Sequence, residues 1–287
     1  MIADGELSRF ASNHPETNGM IEYFITPMEN ISTRLSRQEL AQFRSIKGMS
    51  FRARPAGVVV GPIGEGALNL PAAWEFVKKL TDKPLKFTLT SPYMLAKTLV
   101  DEHYRDLPGL AMAIADVLRA QVAEIDATVV QVDEANLPGH PVDASWAHEP
   151  INHVLLAIQG EKALHLCFGN YEGQTIQRGL WKDMIAFLNN LKVDHLVLEF
   201  ALRGYEELPL VNELDKGIAL GLGVIDIKDN EIESPELVAR RIERAVSVLG
   251  SERIKWTHPD CGFWMLPRSI ADGKMAALVR GRNLFLG

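Results

Sequence analysis

Residues 163–168 read Ala-Leu-His-Leu-Cys-Phe, and residues 195–200 read His-Leu-Val-Leu-Glu-Phe. Both are short apolar runs carrying few polar residues. Strands of a parallel sheet covered on both faces read this way, whereas strands with one wet face alternate. Outward from these two, comparable runs recur at Val58–Val60, Lys86–Thr90, Thr128–Asp133, Ile218–Ile227 and Arg253–His258. Helical patterns lie between them. Leu110, Ile114, Val117, Leu118, Val122 and Ile125 fall on one stripe at helical spacing. Ser234-Pro235-Glu236 predicts a helix start, with a capping Ser, Pro at the first helical position and an acid in the first turn. Val238, Ile242, Val246 and Leu249 continue on one face, and Gly250 is the predicted stop. Repeated strand–helix units predict a parallel α/β architecture, either a doubly wound sheet or a (β/α)₈ barrel. Gly61–Gly66 (GPIGEG) lacks the G-x-G-x-x-G spacing of a dinucleotide site, and no phosphate-binding P-loop motif occurs. One domain over 1–287 is expected, with residues 13–71 an irregular excursion on its outside.

The composition agrees with a globular enzyme. Of 287 residues, 47% are hydrophobic and 23% charged. Thirty Lys and Arg against 37 Asp and Glu leave a net charge of −7 with no basic block, which disfavours a nucleic-acid partner. No apolar run approaches the roughly 18–20 residues of a membrane span. The start MIADGELSRF has neither the basic nor the apolar region of a secretory leader, so a cytoplasmic protein is expected. The two cysteines, Cys167 and Cys261, point to a metal or redox site, or to inert core, rather than to a disulfide framework.

Polar residues gather where the predicted strands end: Asp133-Glu134, His165 and Cys167, Glu199, Asp226 and Lys228, and Asp260-Cys261. In parallel strands these ends meet on one side, where such folds keep their sites. His165-x-Cys167 is the sharpest feature, because residues i and i+2 of a strand face the same way. With Glu199 and Cys261 they make an N/S/S/O donor set suited to Zn²⁺. Taken singly, each has a bland reading as core, and on spacing alone the metal and core readings stand level. Asp133-Glu134 is open in the same way, between a site for a substrate cation and a cap for the following helix. Glu6, within Asp4-Gly5-Glu6, reads by itself as a turn residue.

Those residues carry a resemblance. Asp4-Gly5-Glu6, Val130–Asn136 (VQVDEAN), His165–Tyr171 (HLCFGNY), Leu196–Phe200 (LVLEF), Leu222–Lys228 (LGVIDIK) and His258–Phe263 (HPDCGF) follow one another as in the catalytic barrel of the cobalamin-independent methionine synthase superfamily, and most resemble its short single-barrel members. The resemblance implies a (β/α)₈ barrel, zinc held by His165, Cys167, Glu199 and Cys261, and a homocysteine-like thiol whose amino group is held by Glu6 and Asp133. It implies methyl transfer to that thiol, giving methionine from homocysteine. Zinc lowers a thiol's pKa and holds the thiolate. Two thiolates and one carboxylate around a dication keep a bound sulfur electron-rich, which suits attack on an alkyl carbon rather than activation of water.

The chain departs from the pattern in places. The family's first strand has no counterpart, so a barrel short of that strand is expected, with truncation of a longer natural chain preferred to Val58–Val60 or a partner chain filling the gap. The folate-contacting acid of the long synthases falls on Gly139, no Trp occurs in Thr88–Tyr93, and their proton-donating His aligns with Lys228. A methylated corrinoid or corrinoid protein is therefore expected as donor in preference to methyltetrahydrofolate. Lys228 and Asp133 are the catalytic candidates, Lys228 as a contact for a substrate carboxylate or sulfonate. The rival expectations are a coenzyme M-dependent epoxyalkane transferase and a non-catalytic barrel with structural zinc. A homodimer is compatible with the fold.

Overall fold

The computed structural model describes residues 1–3, 5–10, 18–46, 48–49, 52–170, 175–264 and 266–287. Asp4 and Tyr171 of the motifs above, and residues 13–17 of the irregular stretch, lie outside the described residues. The chain divides into two compact units, Met1–Lys162 and Ala163–Gly287.

The first unit contains strands β1 (Ile2–Ala3), β2 (Ile31–Ser32), β3 (Gly57–Val59), β4 (Leu85–Thr90), β5 (Leu99–Asp101) and β6 (Val129–Glu134). β1, β4 and β6 run parallel, in that order. β3 sits elsewhere. It pairs antiparallel with β2 and parallel with β5 in a separate small sheet, so the Val58–Val60 run does not stand in for a missing strand of the larger sheet. A three-residue apolar run specifies burial but not its partner. Helices α1 (Glu22–Ile25), α2 (Arg37–Arg44), α3 (Leu70–Val77), α4 (Pro92–Lys97), α5 (Leu107–Val122) and α6 (Ala144–Leu155) complete the unit. α5 starts where Asp106 accepts from the Gly109 N–H at 3.1 Å, and it buries Leu110, Ile114, Val117, Leu118 and Val122 along the stripe read from the sequence.

The register of β4 on β6 sorts the two faces of this sheet. Lys86, Thr88 and Thr90 stand opposite Val129, Gln131 and Asp133, so one face is largely polar. Leu85, Phe87 and Leu89 point to the other face, where the Phe87 ring meets Trp74 of α3 edge-on at 6.0 Å. Apolar packing therefore sits under the helices, and the opposite face keeps the hydrogen-bonding side chains.

The second unit is built on β7 (Glu161–Leu166), β8 (His195–Leu198), β9 (Ala219–Ile225) and β10 (Ile254–Pro259), all parallel and in that order; the first two residues of β7 precede the unit. Helices α7 (Ile185–Asn190), α8 (Pro235–Leu249) and α9 (Arg268–Leu286) accompany them. α8 begins as its sequence predicts, with Ser234 Oγ accepting from the Leu237 N–H at 3.2 Å, and it ends at Gly250 with φ 84°. β7 and β8 stop at Leu166 and Leu198, which places Cys167 and Glu199 one residue past their strands. There the main chain turns away and leaves the side chains at the carboxyl ends. Among the described residues no helix is long and apolar enough to cross a membrane.

Candidate metal centre

The second unit gathers His165, Cys167 and Cys261, whose ligand atoms all lie within 4.8 Å of one another. Register explains the first of them. His165 pairs with Val197 of β8, and its Nδ1 lies 3.0 Å from the Val197 carbonyl oxygen. A carbonyl only accepts, so Nδ1 carries the proton and Nε2 keeps the lone pair a metal uses. The two thiols share a hydrogen bond in which Cys167 donates and Cys261 accepts. That bond, with burial, pushes Cys167 up, and the same bond holds Cys261 well below the ordinary thiol range. Cys261 is thus the more acidic sulfur of the pair, and a cation held here would take both sulfurs as thiolates.

Glu199 stands outside the tight group of three but acts on Cys167 and Cys261 electrostatically. It is fully buried. Its Oε2 lies 3.5 Å from Lys228 Nζ, and its Oε1 is buried without a hydrogen-bond partner among the described residues. Burial pushes its carboxyl up against the pull of Lys228 and Arg203. A sealed carboxylate oxygen without a donor is costly unless something else takes it. The donor set of imidazole, two thiols and that orphaned oxygen fits Zn²⁺.

Asp260 ties two of these residues together. Its Oδ1 accepts from the Phe200 and Ala201 N–H groups at 3.1 and 3.0 Å, and Oδ2 accepts from Leu202 N–H at 2.8 Å. One buried carboxylate next to Cys261 therefore fixes the turn that follows Glu199. Burial pushes its carboxyl up to about 7. β9 makes room with Gly223, where a side chain would collide with Asp260 Oδ1 and the Leu198 carbonyl. Lys228 also donates to Thr175 Oγ1 at 3.0 Å. Its loop is held by Glu233, which accepts from the Asp226 N–H at 2.7 Å and pairs with the buried Lys274 at 2.9 Å. Arg203 stacks on Phe168 with 3.6 Å to the ring centroid.

The remaining candidates belong to the first unit. Glu6 adopts φ 58°, accepts a hydrogen bond from Thr88 Oγ1 and lies 3.8 Å from Arg9. Asp133 is buried and accepts from Gln131 Nε2 at 2.6 Å. Burial pulls the Lys86 ammonium down, while Asp133 and Glu6 oppose this. Strand parity separates Asp133 from Glu134, since neighbours on β6 face opposite ways. Glu134 Oε1 caps the next turn, accepting from the Asn136 and Leu137 N–H groups at 2.7 and 2.9 Å, and Ser91 donates to its Oε2. Asp133 takes the polar face. The sequence reading did not single out Lys86 or Gln131, although their parity with Thr90 and Asp133 is the signal that finds them. In the sequence Asp260 reads only as a strand-end residue, because its partners are main-chain groups that leave no trace in a motif.

Solved structures identify the architecture. The B12-independent methionine synthase of Shewanella sp. W3-18-1, solved in complex with selenomethionine, superposes with a TM-score of 0.80 over 98% of this chain and 81% of its own, at 20% identity. The chain is thus an α/β protein of the (β/α)₈-barrel class. Residues 10–281 match the family model described as cobalamin-independent synthase, catalytic domain, and the chain belongs to that family. The methionine synthase of Sulfurisphaera tokodaii is 32% identical over 203 residues, 70% of this chain and 56% of the relative. That of Saccharolobus islandicus is 30% identical over 203 residues, 70% and 58%. The matched stretch spans little more than half the length of these curated relatives.

Proposed function

We propose that the protein is a zinc-dependent methyltransferase acting on a thiol, with homocysteine as acceptor and methionine as product. The observation that carries this is the convergence of His165, Cys167 and Cys261 beside the buried, donor-less Oε1 of Glu199. Bound there, zinc would lower the pKa of the substrate thiol and keep its sulfur as a thiolate. The remaining work falls to the chain itself. His165 is held by Val197 in the tautomer that presents Nε2. Asp260 fixes the turn after Glu199, and Lys228 balances the Glu199 charge until a cation replaces it. Within the first unit, Glu6 and Asp133 offer carboxylates suited to a substrate ammonium. The sulfur then forms a bond to the methyl carbon as the bond from methyl to donor breaks, and the thiol proton leaves to solvent.

A methylated corrinoid, free or on a corrinoid protein, suits this chain better than methyltetrahydrofolate. Gly139 replaces the folate-contacting acid, and Thr88–Tyr93 contain no Trp. Lys228, beside Glu199, favours a second reading in which the thiol is coenzyme M and its sulfonate meets that lysine. The test is proton release when each thiol is added to zinc-loaded protein in weak buffer. Release with L-homocysteine supports the proposal, and release with coenzyme M alone supports the second reading. No release with either, in protein that holds zinc, means a structural metal site and overturns both.

A further inference from the structure

On the polar face of the first unit, three side chains from β4 and β6 form a directed chain. Lys86 Nζ donates to Gln131 Oε1 at 2.7 Å, and Gln131 Nε2 donates to Asp133 Oδ1 at 2.6 Å. Gln131 and Asp133 are buried, and the register sets Lys86 two residues before the partner of Gln131. The direction is forced by chemistry. An ammonium has donors only, so the amide must turn its oxygen toward Lys86, and its NH₂ then faces Asp133. Asp133 Oδ1 accepts from that amide, which restrains how the carboxylate is turned.

We infer that Lys86 and Gln131 are positioning residues that aim Asp133 and thereby set the preference for a substrate bearing an amino group. The inference rests on the proposal that Asp133 and Glu6 receive the substrate ammonium. Neither Lys86 nor Gln131 need touch the ligand. A charge-assisted hydrogen bond is directional and about twice as strong as a neutral one, so a carboxylate held by a donor anchored at both ends meets an ammonium without reorganising. With the anchor removed, Gln131 Oε1 loses its donor in a buried place, and the amide turns and weakens its hold on Asp133.

Calorimetric binding of L-methionine and of 4-(methylsulfanyl)butanoate, the same molecule without its amino group, tests this without a methyl donor or an ionisable thiol. The proteins are wild type, Lys86→Met, Gln131→Leu and the conservative Lys86→Arg, each checked for a cooperative thermal transition. The expected result is that Lys86→Met and Gln131→Leu lose about tenfold in affinity for methionine. Binding of the amine-free analogue should be unchanged, and Lys86→Arg should keep the wild-type preference. Equal losses for both ligands, or no loss in either variant, would overturn the inference while the ammonium proposal stands. A wild-type protein that binds both ligands equally would overturn the ammonium proposal and the inference with it.

Discussion

Replacing Asp260 with asparagine separates the support of the metal centre from the stability of the fold. Three main-chain N–H groups converge on this carboxylate at 2.8–3.1 Å, two on Oδ1 and one on Oδ2. Asparagine keeps one acceptor oxygen. The cheaper placement leaves that oxygen with Phe200 and Ala201 and turns the NH₂ toward the Leu202 N–H, so one partly buried donor is stranded. A stranded donor costs about 1–3 kcal/mol. An offset of similar size exists, because burial has already pushed the Asp260 carboxyl up to about 7 and asparagine carries no charge to bury. Global stability in urea should therefore move by no more than about 1–2 kcal/mol. Metal affinity should suffer more, since the turn beside Glu199 and the residue before Cys261 both lose a shared anchor. Outer-shell losses typically cost about 10–100-fold in affinity. Competition against a chromophoric chelator measures the zinc affinity, and chelator-treated protein in urea measures the fold. Zinc affinity within twofold of wild type in a normally folded Asp260→Asn variant would refute the argument.

Three further outcomes follow from the same structure. Gly223→Ala should destabilise the protein by about 1–3 kcal/mol in urea, because its Cβ meets Asp260 and the Leu198 carbonyl, whereas Gly262→Ala, with nothing within 4 Å of its Cβ, should change little. Lys228→Met removes the cation facing buried Glu199, so chelator-treated protein should lose about 3 kcal/mol. Zinc-loaded protein should lose less, and an equal loss in the two forms would contradict a metal beside Glu199. Burial raises the Glu134 carboxyl above its ordinary value of 4.5. The folded state then favours its protonated form, a stabilisation complete below pH 4.5 and lost as pH rises through the folded value. Glu134→Gln keeps an acceptor for Asn136 and Leu137, so its stability should improve relative to wild type as pH rises from 4.5, and a constant difference over pH 4–8 would contradict this.

The candidate metal residues were legible as a cluster because chemistry and periodicity coincide in them. His165 and Cys167 share a strand face by parity, and both cysteines of the chain follow strands, so the motif carries its own geometry. The helix from Pro235 was legible for the same kind of reason, its cap, first-turn proline and terminal glycine being local. What could not be read depends on contacts distant in sequence. The run at Val58 announced burial but not its pairing with β2 and β5. α9 hides its inward face behind Lys274, a lysine buried with Glu233, 41 residues earlier, and the Glu231 carbonyl as its acceptors. Lys86 reads as the first polar residue of a strand until the register of β6 brings Gln131 to it.

Elemental analysis of the purified protein beside its Cys261→Ser variant tests the central claim most directly. The account predicts one zinc per wild-type chain, and loss of zinc from Cys261→Ser with the cooperative fold retained. Wild-type protein that holds no zinc after purification with zinc supplied, or a variant that holds it as well as wild type, would contradict it.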